Sequence, residues 1–111
     1  MKLNTANIYN VSQSDFSNEI IENIAEYGEQ RIERIISLGH ATPEGQWYDQ
    51  DQDEFVLLLQ GEAKLTFAGR DKQIHLKSGD YLIIPAHNKH RVDWTLPDSH
   101  TIWLTFFISN T

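Results

Sequence analysis

The sequence predicts an all-β domain, a sandwich or barrel of about eight short strands. Three observations predict it. Short stretches alternate apolar and polar residues at a period of two: Ala63, Leu65 and Phe67 share one face of Glu62–Phe67, and Glu62, Lys64 and Thr66 the other. Turn residues recur at close, regular intervals, among them Gly39, Gly61, Gly69, Gly79 and Pro97. No alternation of strands with helices runs along the chain, which argues against a parallel α/β sheet.

Only the first part reads as helical. Phe16, Ile20, Ile24 and Tyr27 recur at three-to-four spacing and would share one helix face. Ser14 or Asp15 can cap its start and Gly28 can end it. Residues 1–30 are therefore read as an extension carrying a short amphipathic helix, and residues 31–111 as the barrel domain.

From Arg31 the strands begin. Arg31–Leu38 is rich in Ile and ends at Gly39; Ala41–Gly45, with Pro43, is a loop. Gln46–Gln50 is a short strand before the acidic turn Asp51–Asp53. Glu54–Gln60 is strongly apolar and ends at Gly61, and Glu62–Phe67 leads into a hairpin turn at Gly69. Lys72–Lys77 turns Ile74 and Leu76 inward, and Tyr81–Ile84 runs into Pro85. Lys89–Thr95 puts Val92 and Trp94 in phase with His90, and Thr101–Ile108 closes the domain. In Glu54–Gln60, Val56 and Leu58 share one face while Phe55, Leu57 and Leu59 share the other. Both faces need a cover: the helix, a second sheet or, as expected here, a second copy in a homodimer.

Composition narrows the function classes. A chain of 111 residues is one domain, and 40% hydrophobic with 23% charged residues excludes disorder, collagen and a coiled coil. Without Cys there is no disulfide, thiolate nucleophile or Cys-based zinc site. Nine Lys and Arg against sixteen Asp and Glu give a net charge of −7, with no basic cluster for a nucleic-acid partner. The longest apolar run, Phe55–Leu59, is far too short for a membrane span, and the N-terminus lacks an apolar signal core. No membrane partner and a cytoplasmic location are expected.

Four polar groups stand out. Tyr48 and Gln50 are two apart, so they point to one side of a strand. Glu54 shares the face of Val56 and Leu58, and His90 that of Val92 and Trp94. If each apolar set faces the interior, the four converge there. Each also has an ordinary reading: a solvated acid, a turn cap, a core aromatic with its hydroxyl satisfied, and a satisfied core imidazole. His87 and His90 form H-x-x-H, but after Pro85 a helix that would bring them together is not expected, so His87 reads as a contact at the cavity mouth. Trp94 reads as a cavity wall. Asp49-x-Asp51-x-Asp53 is not a calcium loop, because Glu54 stands where Gly is needed and Gln60 where Glu is needed.

The stretches YDQDQDEFVLLLQG (Tyr48–Gly61) and GDYLIIPAHNKHRVDW (Gly79–Trp94) resemble the two motifs of the cupin superfamily. The first motif reads G-x5-H-x-H-x3,4-E-x6-G; Glu54 and Gly61 match, while Tyr48 and Gln50 replace the two His and Thr42 the first Gly. The second reads G-x5-P-x-G-x2-H-x3-N; Gly79, Pro85 and His90 match, while His87 replaces Gly and Trp94 replaces Asn. The resemblance runs from Leu38 to about Phe107 and implies a double-stranded β-helix, the jelly-roll cupin barrel, with the short N-terminal helix added.

It also implies a ligand inside the barrel: a sugar, sugar phosphate or hydroxy acid, by similarity to small cupins of the mannose-6-phosphate isomerase type. Two readings stay open. In one, the chain is a divalent-metal-dependent isomerase or epimerase. Gln50, Glu54 and His90 then hold Zn, Ni, Fe or Mn; Tyr48, Glu54 and His90 are catalytic; Tyr48, His87 and Trp94 contact substrate. No organic cofactor is expected. In the other it is a non-catalytic binding or sensor module without metal. The loss of two imidazoles favours the second. No attached domain to receive a signal is expected from these 111 residues, which counts against it.

Overall fold

The structure is a computed structural model that describes residues 3–109. The alternating stretches pair into two antiparallel sheets. The strands are β1 (Ile20–Tyr27), β2 (Gln30–Ser37), β3 (Asp53–Gln60), β4 (Glu62–Phe67), β5 (Ile74–Lys77), β6 (Tyr81–Ile84), β7 (His90–Thr95) and β8 (Thr101–Ile108). Five form one sheet in the order β1-β2-β8-β3-β6, and three form the other in the order β5-β4-β7. Facing each other, the sheets make a jelly-roll barrel. Val56 and Leu58 from the larger sheet pack with Leu65, Phe67 and Leu76 of the smaller one, and with Trp103. Period-two alternation produces this directly, since every second residue of each strand turns inward.

The expected N-terminal helix is corrected. Ile20–Tyr27 is strand β1, and no helix occurs among the described residues. An isolated helix of this length is marginal, whereas β1 gains a full ladder on the open edge of β2, from Ile20 against Ile36 to Tyr27 against Gln30. Ile20, Ile21 and Ile24 are β-branched and suit a strand. Gly28 does not cap a helix: with φ of 62° it opens a two-residue hairpin turn, the geometry glycine adopts without strain. A register shift between Asn23 and Ala25 leaves Ile24 outside the alternation and half exposed. The extension thus joins the barrel sheet.

Two smaller differences matter for the site. Gln46–Gln50 is no strand; only Tyr48 pairs, in an isolated bridge to His90 with N–H···O distances of 2.7 and 3.1 Å. Strand β7 carries an extra residue opposite β4, because Leu65 pairs with Val92 and Lys64 with Trp94, leaving Asp93 between. The bulge reverses the phase. Trp94 therefore turns to the outer face, where the Lys64 ammonium lies over its ring at 5.1 Å.

The outer face of the larger sheet is covered in part. Ile36 and Ile102 are fully buried there. Arg34 ties the N-terminal segment across β2 by donating to the carbonyls of Ile8 (3.0 Å) and Asn10 (2.7 Å). Toward β6 the cover thins: Phe55, Leu57 and Leu59 are half-buried, and Tyr81 and Ile83 are exposed.

Candidate functional site

Between the sheets lies a cavity of about 300 Å³. Tyr48, Gln50, Glu54 and His90 all line it, so the four sequence candidates meet. His90 opens β7, and its ring lies between Tyr48 and Phe67, each with centroids 5.5 Å away. Its Nδ1 is 3.0 Å from the carbonyl of Asn88, which can only accept, so Nδ1 carries the proton. Burial lowers the His90 pKa below its usual value and keeps the ring neutral. Its Nε2 is then a lone pair facing Glu54 Oε1 at 3.9 Å. That gap is too long for a hydrogen bond, yet one hydroxyl oxygen could reach both atoms.

Glu54 sits near the start of β3, 6% exposed. Burial pushes its carboxyl up to about 7 despite the amide of Gln50, which donates to Oε1 at 2.8 Å. Tyr48 is held above the usual phenol value, first by burial and then by the Glu19 carboxylate. It remains a neutral hydroxyl group.

His87 does not line the cavity; it lies in a separate polar hollow whose wall shares Arg31 and Gln50 with it. Its backbone N–H donates to Gln50 O at 2.6 Å, and its Nδ1 is 3.1 Å from Asp49. Its φ is 63°, left-handed and uncommon for a residue with a Cβ. Trp94, on the outer face, is not brought to the cavity. His75 is an exposed strand residue paired with Glu62, and His40 anchors the N-terminal segment through the carbonyl of Phe16.

Sequence reasoning missed one wall. Glu19, Arg31, Glu33 and Thr105 also line the cavity. The odd-numbered residues of β2, with Ile35, face inward, and alternation around Ile35 was the signal that could have found Arg31 and Glu33.

A divalent metal does not fit this donor set. A neutral phenol is a poor ligand and Gln50 turns its N–H toward Glu54, which leaves the Glu54 carboxyl as the one acidic donor of the four. One imidazole nitrogen remains. Among the described residues no three His, Asp or Glu side chains are grouped to hold a metal ion.

A double-sheet jelly-roll barrel with polar side chains turned into its interior is the architecture of the cupin class of β domains. A cupin domain model matches residues 35–107, so the chain belongs to the cupin family. It is similar to a protein of Ralstonia eutropha JMP134 described as a candidate mannose-6-phosphate isomerase, with 35% identity, TM-score 0.92, and coverage of 97% of this chain and 100% of that one. A cupin superfamily protein of Desulfitobacterium hafniense DCB-2 shares the fold at 22% identity and TM-score 0.72, over 88% of this chain and 84% of that one. A cupin-2 domain protein of Shewanella frigidimarina does so at 20% identity and TM-score 0.61, over 78% of each chain. None of the curated proteins matches. Among the described residues no helix is long and apolar enough to cross a membrane.

Proposed function

We propose that this cupin binds a small polar molecule of the sugar or hydroxy-acid class inside its barrel, without a resident metal. The observation that carries the reading is the grouping of half-buried Gln50 with buried Glu54 and His90 on the cavity wall, with the Nε2 lone pair 3.9 Å from the carboxyl. A bound hydroxyl lying between them would meet an acid and a base. The Glu54 carboxyl can give a proton while the His90 imidazole takes one, which suits an isomerase or epimerase step. The Ralstonia protein's description supports including an isomerase among the activities to assay. The second reading, a binder without turnover, is favoured by the absence of the family's two further imidazoles at Tyr48 and Gln50.

Thermal-shift and calorimetric titration with sugars, sugar phosphates and hydroxy acids, each with and without chelator, tests it. Stabilisation unaffected by chelator and lost in His90→Ala is expected. Stabilisation that needs added metal overturns it. The double variant Tyr48→His/Gln50→His restores a nitrogen-rich set and is expected to gain a metal detectable by elemental analysis. We also propose that the thinly covered outer face, from Tyr81 and Ile83 across Phe55 to Phe106, packs against a second copy of the chain.

A further inference from the structure

The wall opposite His90 lies outside both sequence motifs, yet it is polar. Thr105, on β8, is 1% exposed, and its Oγ1 is buried without a hydrogen-bond partner among the described residues. Its neighbours across the sheet are Glu33 on β2 and Val56 on β3, and all three line the cavity. A buried hydroxyl left unpaired is unfavourable, so the site is built for something polar to reach it.

The charge on this wall limits what that can be. Glu19 and Glu33 line the cavity beside Glu54, whose carboxyl burial keeps protonated up to about 7, while among the described residues Arg31 is the sole Lys or Arg lining it. The Arg31 guanidinium is already engaged. It donates to Glu33 at 3.2 Å and to Gln52 at 2.8 Å, and it lies 3.9 Å over the Phe107 ring. An anionic ligand would have to displace those bonds and then sit among carboxyl groups in a poorly screened interior. A neutral ligand with several hydroxyls faces no such repulsion. Its O–H groups can donate to the carboxyl oxygens and to Thr105, and its C–H faces can rest on Val56, Leu65 and Trp103.

We propose that Thr105 and Glu33 form a second recognition point of the barrel, and that its ligand is an uncharged, hydroxyl-rich molecule, an unphosphorylated sugar or polyol. This rests on the barrel binding a small polar molecule and selects among the classes considered above. It makes a phosphorylated sugar the disfavoured ligand.

The test is calorimetric titration of the full chain with neutral polyols (mannose, ribose, xylose, myo-inositol), their monophosphates, and the hydroxy acids glycerate and malate. A neutral member is expected to bind, with its monophosphate at least about tenfold weaker. Thr105→Val keeps the shape and removes the hydroxyl. It is expected to weaken the neutral ligand about tenfold while the unliganded melting temperature does not fall. Glu33→Gln is expected to narrow the gap between neutral and phosphorylated ligands, and it decides the matter if Thr105→Val does not fold. Equal or tighter binding of the monophosphate, hydroxy-acid binding without polyol binding, or unchanged affinity in folded Thr105→Val overturns this inference alone. No binding by any compound overturns the barrel-ligand reading beneath it.

Discussion

At the scale of single residues, Glu54 makes stability depend on pH. Burial holds its carboxyl protonated up to about 7, against an ordinary 4.5. Between those values the folded chain binds more protons than the unfolded one, so stability falls as pH rises through the window. The shift corresponds to roughly 3 kcal/mol at most. Glu54→Gln removes the titration, and its melting temperature is expected to fall less than that of the wild type on going from pH 5 to pH 8. Equal falls in both proteins would discount it. His87 presents the opposite case, a side chain kept at a conformational cost. Glycine accommodates a φ of 63° freely, and the 3.1 Å contact of His87 with Asp49 is largely exposed and worth little. His87→Gly is therefore expected to stabilise the fold by roughly 0.5–1 kcal/mol in denaturant titration. A loss of stability would contradict the strain. Tyr48, Gln50, Glu54 and His90 were legible in the sequence because each belonged to an alternating stretch or to a motif at fixed spacing. Thr105 was not, since a hydroxyl between apolar neighbours gives no sign of whether its partner is protein or ligand.

At the scale of elements, the β3–β4 connection is the least forgiving. Gly61 has φ of 95°, and a Cβ there would lie 2.4 Å from Thr101 Oγ1 and 2.8 Å from Thr101 Cα. Gly61→Ala combines about 1–2 kcal/mol of left-handed backbone strain with about 1–3 kcal/mol of overpacking. A drop of at least 2 kcal/mol is expected in urea unfolding; a smaller one would mean that β8 can yield. Strands β3 to β8 were readable because short apolar or alternating stretches are set apart by turn residues such as Gly61, Gly69, Gly79 and Pro97. Two features hid from the sequence. The first strand shows the three-to-four spacing of Phe16, Ile20, Ile24 and Tyr27, and only the open edge of β2 decides in favour of a ladder. On β7 the extra residue Asp93 breaks the alternation, so Trp94 faces out although its position in the pattern points in. Asp93 fits the outside: Thr66, Gln73 and Arg91 donate to it and, through those hydrogen bonds, hold its carboxyl below the usual carboxylate range.

At the scale of the whole molecule, the larger sheet has one side facing the cavity and one side incompletely covered. Phe55 packs against Tyr81 and Phe106 with ring centroids 5.5 and 5.6 Å apart, and Tyr81 and Ile83 remain 66% and 63% exposed. Such a contiguous aromatic and aliphatic surface fits an isologous contact. Light scattering on the eluting protein is expected to give twice the chain mass of 12.9 kDa, and Ile83→Asp to give the single-chain mass. A wild type that elutes as a monomer would leave that surface without its proposed occupant.

The cavity draws its polar groups from two separate sources. The two signature stretches give Tyr48, Gln50, Glu54 and His90, while positions outside them give Glu19, Arg31, Glu33 and Thr105. Because the second group lies outside the signature positions, substitutions there can retune selectivity while the hallmark residues stay fixed. Relatives that share both signatures would then be free to diverge in what they accept, and kinship judged on the signatures alone would group proteins with different diets.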